Sequence, residues 1–181
     1  MHFMNSRPDV VRSVSQRRLL SYWDRRRGTI PLPMWEGFEA EELVAVAESV
    51  SFQDVIGHEG DARFLIRYHG KRIAEAYGSF CQGKFLDEIL PPPYREAALS
   101  TYYQVLATKL PVYTISDTHD RDGRIVHYER LLLPFSEDGD AIDRILASLE
   151  ATSPEGAFDN RDVLKSLPRP AGFALRTTIQ P

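Results

Sequence analysis

The charged residues best placed to do chemistry in this chain are Glu129 and Arg130, because they interrupt its most apolar run, Ile125 to Phe135. Neighbouring residues of a strand point to opposite faces, so one of the two is carried inward on whichever face is covered. A charge there needs a partner, since an unpaired buried charge is costly. It serves either as a polar contact for a ligand or as half of a structural ion pair, with Arg67 and Arg144 as mates for Glu129. Tyr68, Tyr77, Phe80, Phe85, Tyr102 and Tyr103 stand at spacings that suit either the lining of a hollow or plain core. The candidate ligand-contacting set is Tyr77, Phe80, Tyr102, Tyr103, His127, Glu129 and Arg130.

Other reactive types point nowhere in particular. His69, His119 and His127 form no close cluster with Cys, Asp or Glu, so no metal site is expected. One histidine is enough for haem, but His127 alternates with Ile125 and Glu129 along a strand and His119 lies beside a turn, positions of hydrogen-bonded structural residues. No phosphate-cradling glycine loop, nucleophile elbow or paired-carboxylate pattern stands out. The chain is read as having no catalytic residue and no resident cofactor, and as open to an unidentified small ligand.

The elements that would position these residues follow from turn signals and periodicity. Asp122-Gly123 and Asp138-Gly139-Asp140 separate three β-rich runs, Val112 to Thr118, Ile125 to Phe135 and Ile142 to Leu149. The middle run is apolar on both faces and belongs mid-sheet, covered on each side. A hairpin is expected from Phe52 to Ile56 and Arg63 to His69, turning through Gly57-His58-Glu59-Gly60. Helices are expected over 15–27, 39–50, 71–77 and 94–108, the last opened by Pro91-Pro92-Pro93. Residues 1–14 read as a loose basic arm, 15–50 as flanking helices, 51–152 as the core, and 153–181 as a proline-punctuated tail with at most one short helix near Asp162–Leu167.

Charge is unevenly spread. Seven arginines against Asp9 and Asp24 give residues 1–27 a balance of +5, leaving −9 for the rest within a total of −4. No aromatic interleaving or groove-reading motif accompanies these arginines, so a solvated helix face is expected and not a nucleic-acid surface. No apolar run approaches the roughly 18 residues of a membrane span. The N-terminus lacks the apolar stretch of a secretory signal, and a lone cysteine fits a reducing cytoplasm. Leu19, Leu20 and Trp23 make an apolar stripe that a short helix cannot shield alone. That stripe is the expected homodimer or partner surface.

Three segments carry a resemblance to the PAS domain superfamily, and more narrowly to a family of short bacterial PAS-type proteins once classed as a domain of unknown function. They are Phe64 to Ile89, with its Gly83-Lys84-Phe85-Leu86 element, Pro91 to Tyr113, and Asp122 to Leu146, with its Tyr-Glu-Arg-Leu-Leu-Leu-Pro string. The resemblance spans about Leu19 to Ala151 and implies an α+β fold. This is a PAS-like five-stranded antiparallel sheet with helices on one face and the N-terminal helices covering the other. Flavin-binding PAS domains set a reactive cysteine in a Gly-x-x-Cys-Arg-Phe-Leu-Gln segment. Here Gly78-Ser79-Phe80-Cys81 is followed by Gln82-Gly83-Lys84, without the arginine. Cys81 is therefore read as a packing residue.

The function this implies is a cytoplasmic regulatory sensor acting through a small ligand, a regulatory protein partner, or both. The alternatives are a ligand-free interaction adaptor and, further off, a small cavity enzyme. With no kinase, cyclase or DNA-binding segment in the chain, output is expected to pass to a separate protein.

Overall fold

The protein is described by a computed structural model over residues 2–35, 41–57, 60–164 and 173–180. Its first long element is α1, Val14–Arg27. Ser13 caps it, its hydroxyl accepting from the Gln16 N–H at 3.4 Å. Gly28 ends it at φ +53°, a conformation that costs a side chain, and its N–H returns to the Asp24 carbonyl. Arg25, Arg26 and Arg27 fill the last turn, where cations complement the helix dipole. Leu19, Leu20, Tyr22 and Trp23 are buried together with Gln16 along one side of this helix.

Seven strands make one sheet. They are β1 (Met4–Ser6), β2 (Val50–Ile56), β3 (Arg63–His69), β4 (Val112–His119), β5 (Ile125–Phe135), β6 (Arg144–Thr152) and β7 (Phe173–Ile179), in the order β1-β7-β4-β5-β6-β2-β3. Every pairing is antiparallel except β1 with β7. The expected five-stranded antiparallel sheet is therefore a seven-stranded mixed one. Residues 4–6 are a strand and not part of a loose arm, and residues 173–179 pair with β4 where only tail was read. Three-residue β1 is too short to show a pattern. In β7 the buried positions are Arg176, Thr177, Thr178 and Ile179, so polarity hides the strand. Arg176 lies over the rings of Phe3 and Phe173, which is how a charged residue fits there.

The helices α2 (Glu41–Val44), α3 (Lys71–Tyr77), α4 (Leu86–Ile89) and α5 (Pro92–Thr108) complete the fold. The helix expected over 39–50 resolves into α2 and a 3₁₀ turn at Ala47–Ser49 before the chain extends into β2 at Val50. Residues 39 and 40 lie outside the described residues, as do the turn residues 58 and 59. The expected short helix at 162–167 appears as a turn through residue 164, and its remainder also falls outside.

Strand β5 is covered on both faces, as its composition requires. Val126, Tyr128 and Leu132 join the core beneath α3, α4 and α5 with Phe64, Ile73, Tyr102 and Val105. Leu131, Leu133 and Phe135 join a second core with Leu19, Trp23, Leu43 and Tyr113, beneath α1. Pro134 sits past the last β4 partner, Leu132, so its missing N–H costs no ladder bond on that side. Its carbonyl accepts from the Trp23 indole N–H at 2.6 Å. Among the described residues no helix is long and apolar enough to cross a membrane.

Candidate functional site

Register settles which side each charge of β5 takes. Arg130 pairs with Thr114 and Tyr128 with Ser116, while Glu129 pairs with Ile115 and His127 with Asp117. Arg130 thus points under α5 and Glu129 under α1.

On the α1 side Glu129 is 6% exposed, and its Oε2 accepts from the Tyr113 hydroxyl at 2.6 Å. Neither expected mate reaches it. Arg67 and Arg144 both bind Asp54, at 2.6 and 2.8 Å, because Asp54 lies beside them in the register of β2 with β3 and β6. Burial and the Glu129 carboxylate both push the Tyr113 phenol up, keeping it a donor. Tyr113→Phe leaves that carboxylate buried without its donor and should cost about 1–3 kcal/mol in chemical denaturation. Glu129→Gln keeps an acceptor and should cost under about 1 kcal/mol.

On the α5 side a cavity of ≈ 50 Å³ is lined by Arg130, Tyr128, Thr114, Ser116 and Thr118 from the sheet, Tyr94, Ala97 and Ala98 from α5, and Tyr77 from α3. Leu90, Pro91, Leu164 and Phe173 complete the lining. Residues 159–164 are fastened there by hydrogen bonds to the sheet and to α3. The Thr118 hydroxyl donates to the Val163 carbonyl, the N–H groups of Asp162 and Leu164 donate to the carbonyls of Glu75 and Ala76, and the Asp159 N–H donates to Asp120. Burial alone would raise the Asp120 carboxyl, but the N–H groups of Arg124, Asp159 and Asp122 outweigh it and hold it below the usual carboxylate range.

Arg130 is deep in the fold but not sealed, since part of it faces this cavity. Its Nε is fully buried and has no hydrogen-bond partner among the described residues. Burial works against its charge, while Tyr77, Tyr102 and Tyr128 favour it, Tyr77 through a hydrogen bond. Burial also pushes the phenols of Tyr77, Tyr102 and Tyr128 up, so all three remain protonated donors at neutral pH.

The predicted set therefore divides. Tyr77 and Arg130 line the cavity, while Tyr102 lies near Arg130 without lining it. Glu129 belongs to the opposite face. His127 is also on that face, near the sheet end, 2.7 Å from Asp117. Phe80 is 67% exposed and away from the cavity. Tyr103 is turned outward, its hydroxyl donating to the Ala62 carbonyl at 3.2 Å. Missed were Thr114, Ser116 and Thr118, small hydroxyl residues alternating along β4, together with Tyr94, Tyr128, Leu164 and Phe173. Leu19, Leu20 and Trp23 are buried within the chain against the sheet, which removes the exposed stripe on which a dimer surface was expected. Several arginines of the basic segment also have partners within the chain. Arg17 donates to the carbonyls of Val11 and Arg12, Arg25 binds Glu42, and Arg27 binds Asp24.

Cys81 is buried, and its N–H donates to His69 Nδ1 at 3.3 Å. Burial holds the His69 imidazole down to about 4 from an ordinary 6.5. The unfolded chain therefore takes up this proton first as pH falls. Stability from this group is complete above about 6.5, declines between 6.5 and 4, and is level below that, a loss on the order of 3 kcal/mol. The wild-type denaturation midpoint should fall from pH 7 to pH 4.5. His69→Gln does not titrate and should show a shallower fall.

An antiparallel core in the order β4-β5-β6-β2-β3, with helices over one face enclosing a small polar-lined hollow, is the arrangement of a sensory α+β module. The PAS domain family matches the chain over residues 11–150, and the chain belongs to that family. The match takes in α1 and β2 through most of β6, and leaves β1 and β7 as additions at one sheet edge. No curated protein matches the chain.

Proposed function

We propose that this PAS-domain protein is a cytoplasmic sensor that takes a small molecule into the hollow between α5 and strands β4 and β5. The observation that carries this reading is Arg130, a guanidinium in a small cavity with its Nε unpartnered. A hollow meant only as core would be better filled by an apolar side chain of similar volume. The site is suited to binding and not to reaction. Its titratable groups are an arginine and buried tyrosines, none poised near neutral pH as a general acid or base should be. A single buried thiol, Cys81, fits a reducing compartment.

The output in this reading runs through β5 to α1. Gln16 is fully buried, and its Nε2 donates to the carbonyls of Glu129, at 3.1 Å, and Ser148, at 3.2 Å. A ligand that moves Arg130 acts on the residue next to one of these carbonyls, and α1 then presents the change to a separate regulatory protein. The test is a screen of small polar compounds by amide NMR of the labelled full chain. Binders should displace amides of 114–118, 126–130 and 94–98. Binders that all map elsewhere, or a screen with none, would overturn the sensor and leave a ligand-free adaptor.

A further inference from the structure

We propose that the ligand of this hollow is a short-chain monocarboxylate docked on Arg130, an inference that rests on the sensor reading above. Charge balance comes first. Among the described residues no carboxylate supports the Arg130 charge, and the groups that do so are tyrosines. The segment 165–172, which joins the wall residues Leu164 and Phe173, carries Lys165 and Arg169 and no acid, so it has no carboxylate to offer. A half-buried cation with no anion beside it is a state that an anionic ligand relieves.

The shape of the donors narrows the class. A guanidinium is a planar fork that matches the two oxygens of a carboxylate, and Arg130 presents part of its side chain to the cavity. Thr114 lies directly across the strand pair from Arg130, with Ser116 one step along the same face, so hydroxyls flank the fork. Away from these groups the wall is apolar, made by Leu90, Ala98, Leu164 and Phe173, and takes an alkyl group.

Charge and size set the limits. One arginine neutralises one negative charge, whereas a phosphate dianion would leave an excess charge in an apolar wall. A volume of ≈ 50 Å³ is room for about four water-sized spheres at roughly 10–15 Å³ each, which suits an acid of two or three carbons and not a nucleotide or a haem.

The test is a set of matched NMR titrations of the full chain, in buffer free of carboxylate and phosphate. The probes are acetate and propionate, each beside its neutral amide, and inorganic phosphate. The acids should shift the amides of 114–118 and 126–130 and bind at least tenfold more tightly than acetamide and propionamide. Arg130→Met should weaken the acids tenfold or more and leave the thermal midpoint in probe-free buffer unchanged or raised. Arg130→Lys should fall between, having the charge without the fork. Equal binding of acids and amides, tighter binding of phosphate, or acid binding undiminished in Arg130→Met would each overturn the carboxylate assignment. If the acids fail while other compounds from the screen still map to these amides, the carboxylate inference falls alone. If nothing maps there, both fall.

Discussion

Trp23→Ala should destabilise the protein by about 3–5 kcal/mol, the largest loss expected from any single substitution considered. Trp23 is 1% exposed, wedged between α1 and the sheet beside Leu19, Leu43, Tyr113 and Leu133. Truncation removes the most voluminous side chain of that core and leaves a cavity that the helix and sheet, both rigid, only partly close. It also frees the Pro134 carbonyl from the indole N–H. Trp23→Phe separates the contributions. It keeps an aromatic ring but loses the donor, and should cost about 1–3 kcal/mol. Denaturant midpoints read both values. Because the contacts lie within one chain, the loss should be the same at low and high protein concentration. A loss present only in concentrated samples would place Trp23 between chains instead.

The second large effect is on binding. Ala98 is 6% exposed in α5 and lines the hollow. Ala98→Leu adds three carbons to a space of ≈ 50 Å³, so little room for a ligand remains. Affinity for any compound that occupies the hollow should drop by at least tenfold, while stability moves by no more than about 2 kcal/mol in either direction, depending on whether the leucine fills space or overpacks it. Titration of the strongest binder from the screen against wild type and variant measures the first quantity, and thermal unfolding the second. Undiminished binding in a folded Ala98→Leu protein would mean that the ligand sits elsewhere.

Strand β5 is legible in the sequence to its ends because its apolar run meets turn residues at Asp122-Gly123 and Asp138-Gly139. Gly123 takes φ +82° and Gly139 φ +91°, as such turns require. Helix α3 is legible because Gly78, at φ +69°, stops it. That Glu129 and Arg130 must part to opposite faces follows from strand alternation alone. Which goes where depends on the pairing of β4 with β5, a non-local fact. The ion pair expected for Glu129 failed for the same reason, since Asp54 lies closer to both arginines across the sheet. Strand β7 stayed hidden because Arg176 and Thr177 are buried polar residues, and polarity reads as exposure until the aromatic rings that cover the arginine are placed. The apolar stripe of α1 was read correctly as needing cover. Its cover is the chain's own sheet.

The proposed signalling path leads from the hollow under α5 through β5 to α1. Hydrogen exchange on the full chain, with and without a saturating binder of the hollow, tests it most directly. The predicted result is slowed exchange at β4 and β5 together with a several-fold change in the amides of α1, lost in Gln16→Leu, which cannot donate to the carbonyls of Glu129 and Ser148. Protection confined to the lining of the hollow, with α1 unchanged in the wild type, would contradict it.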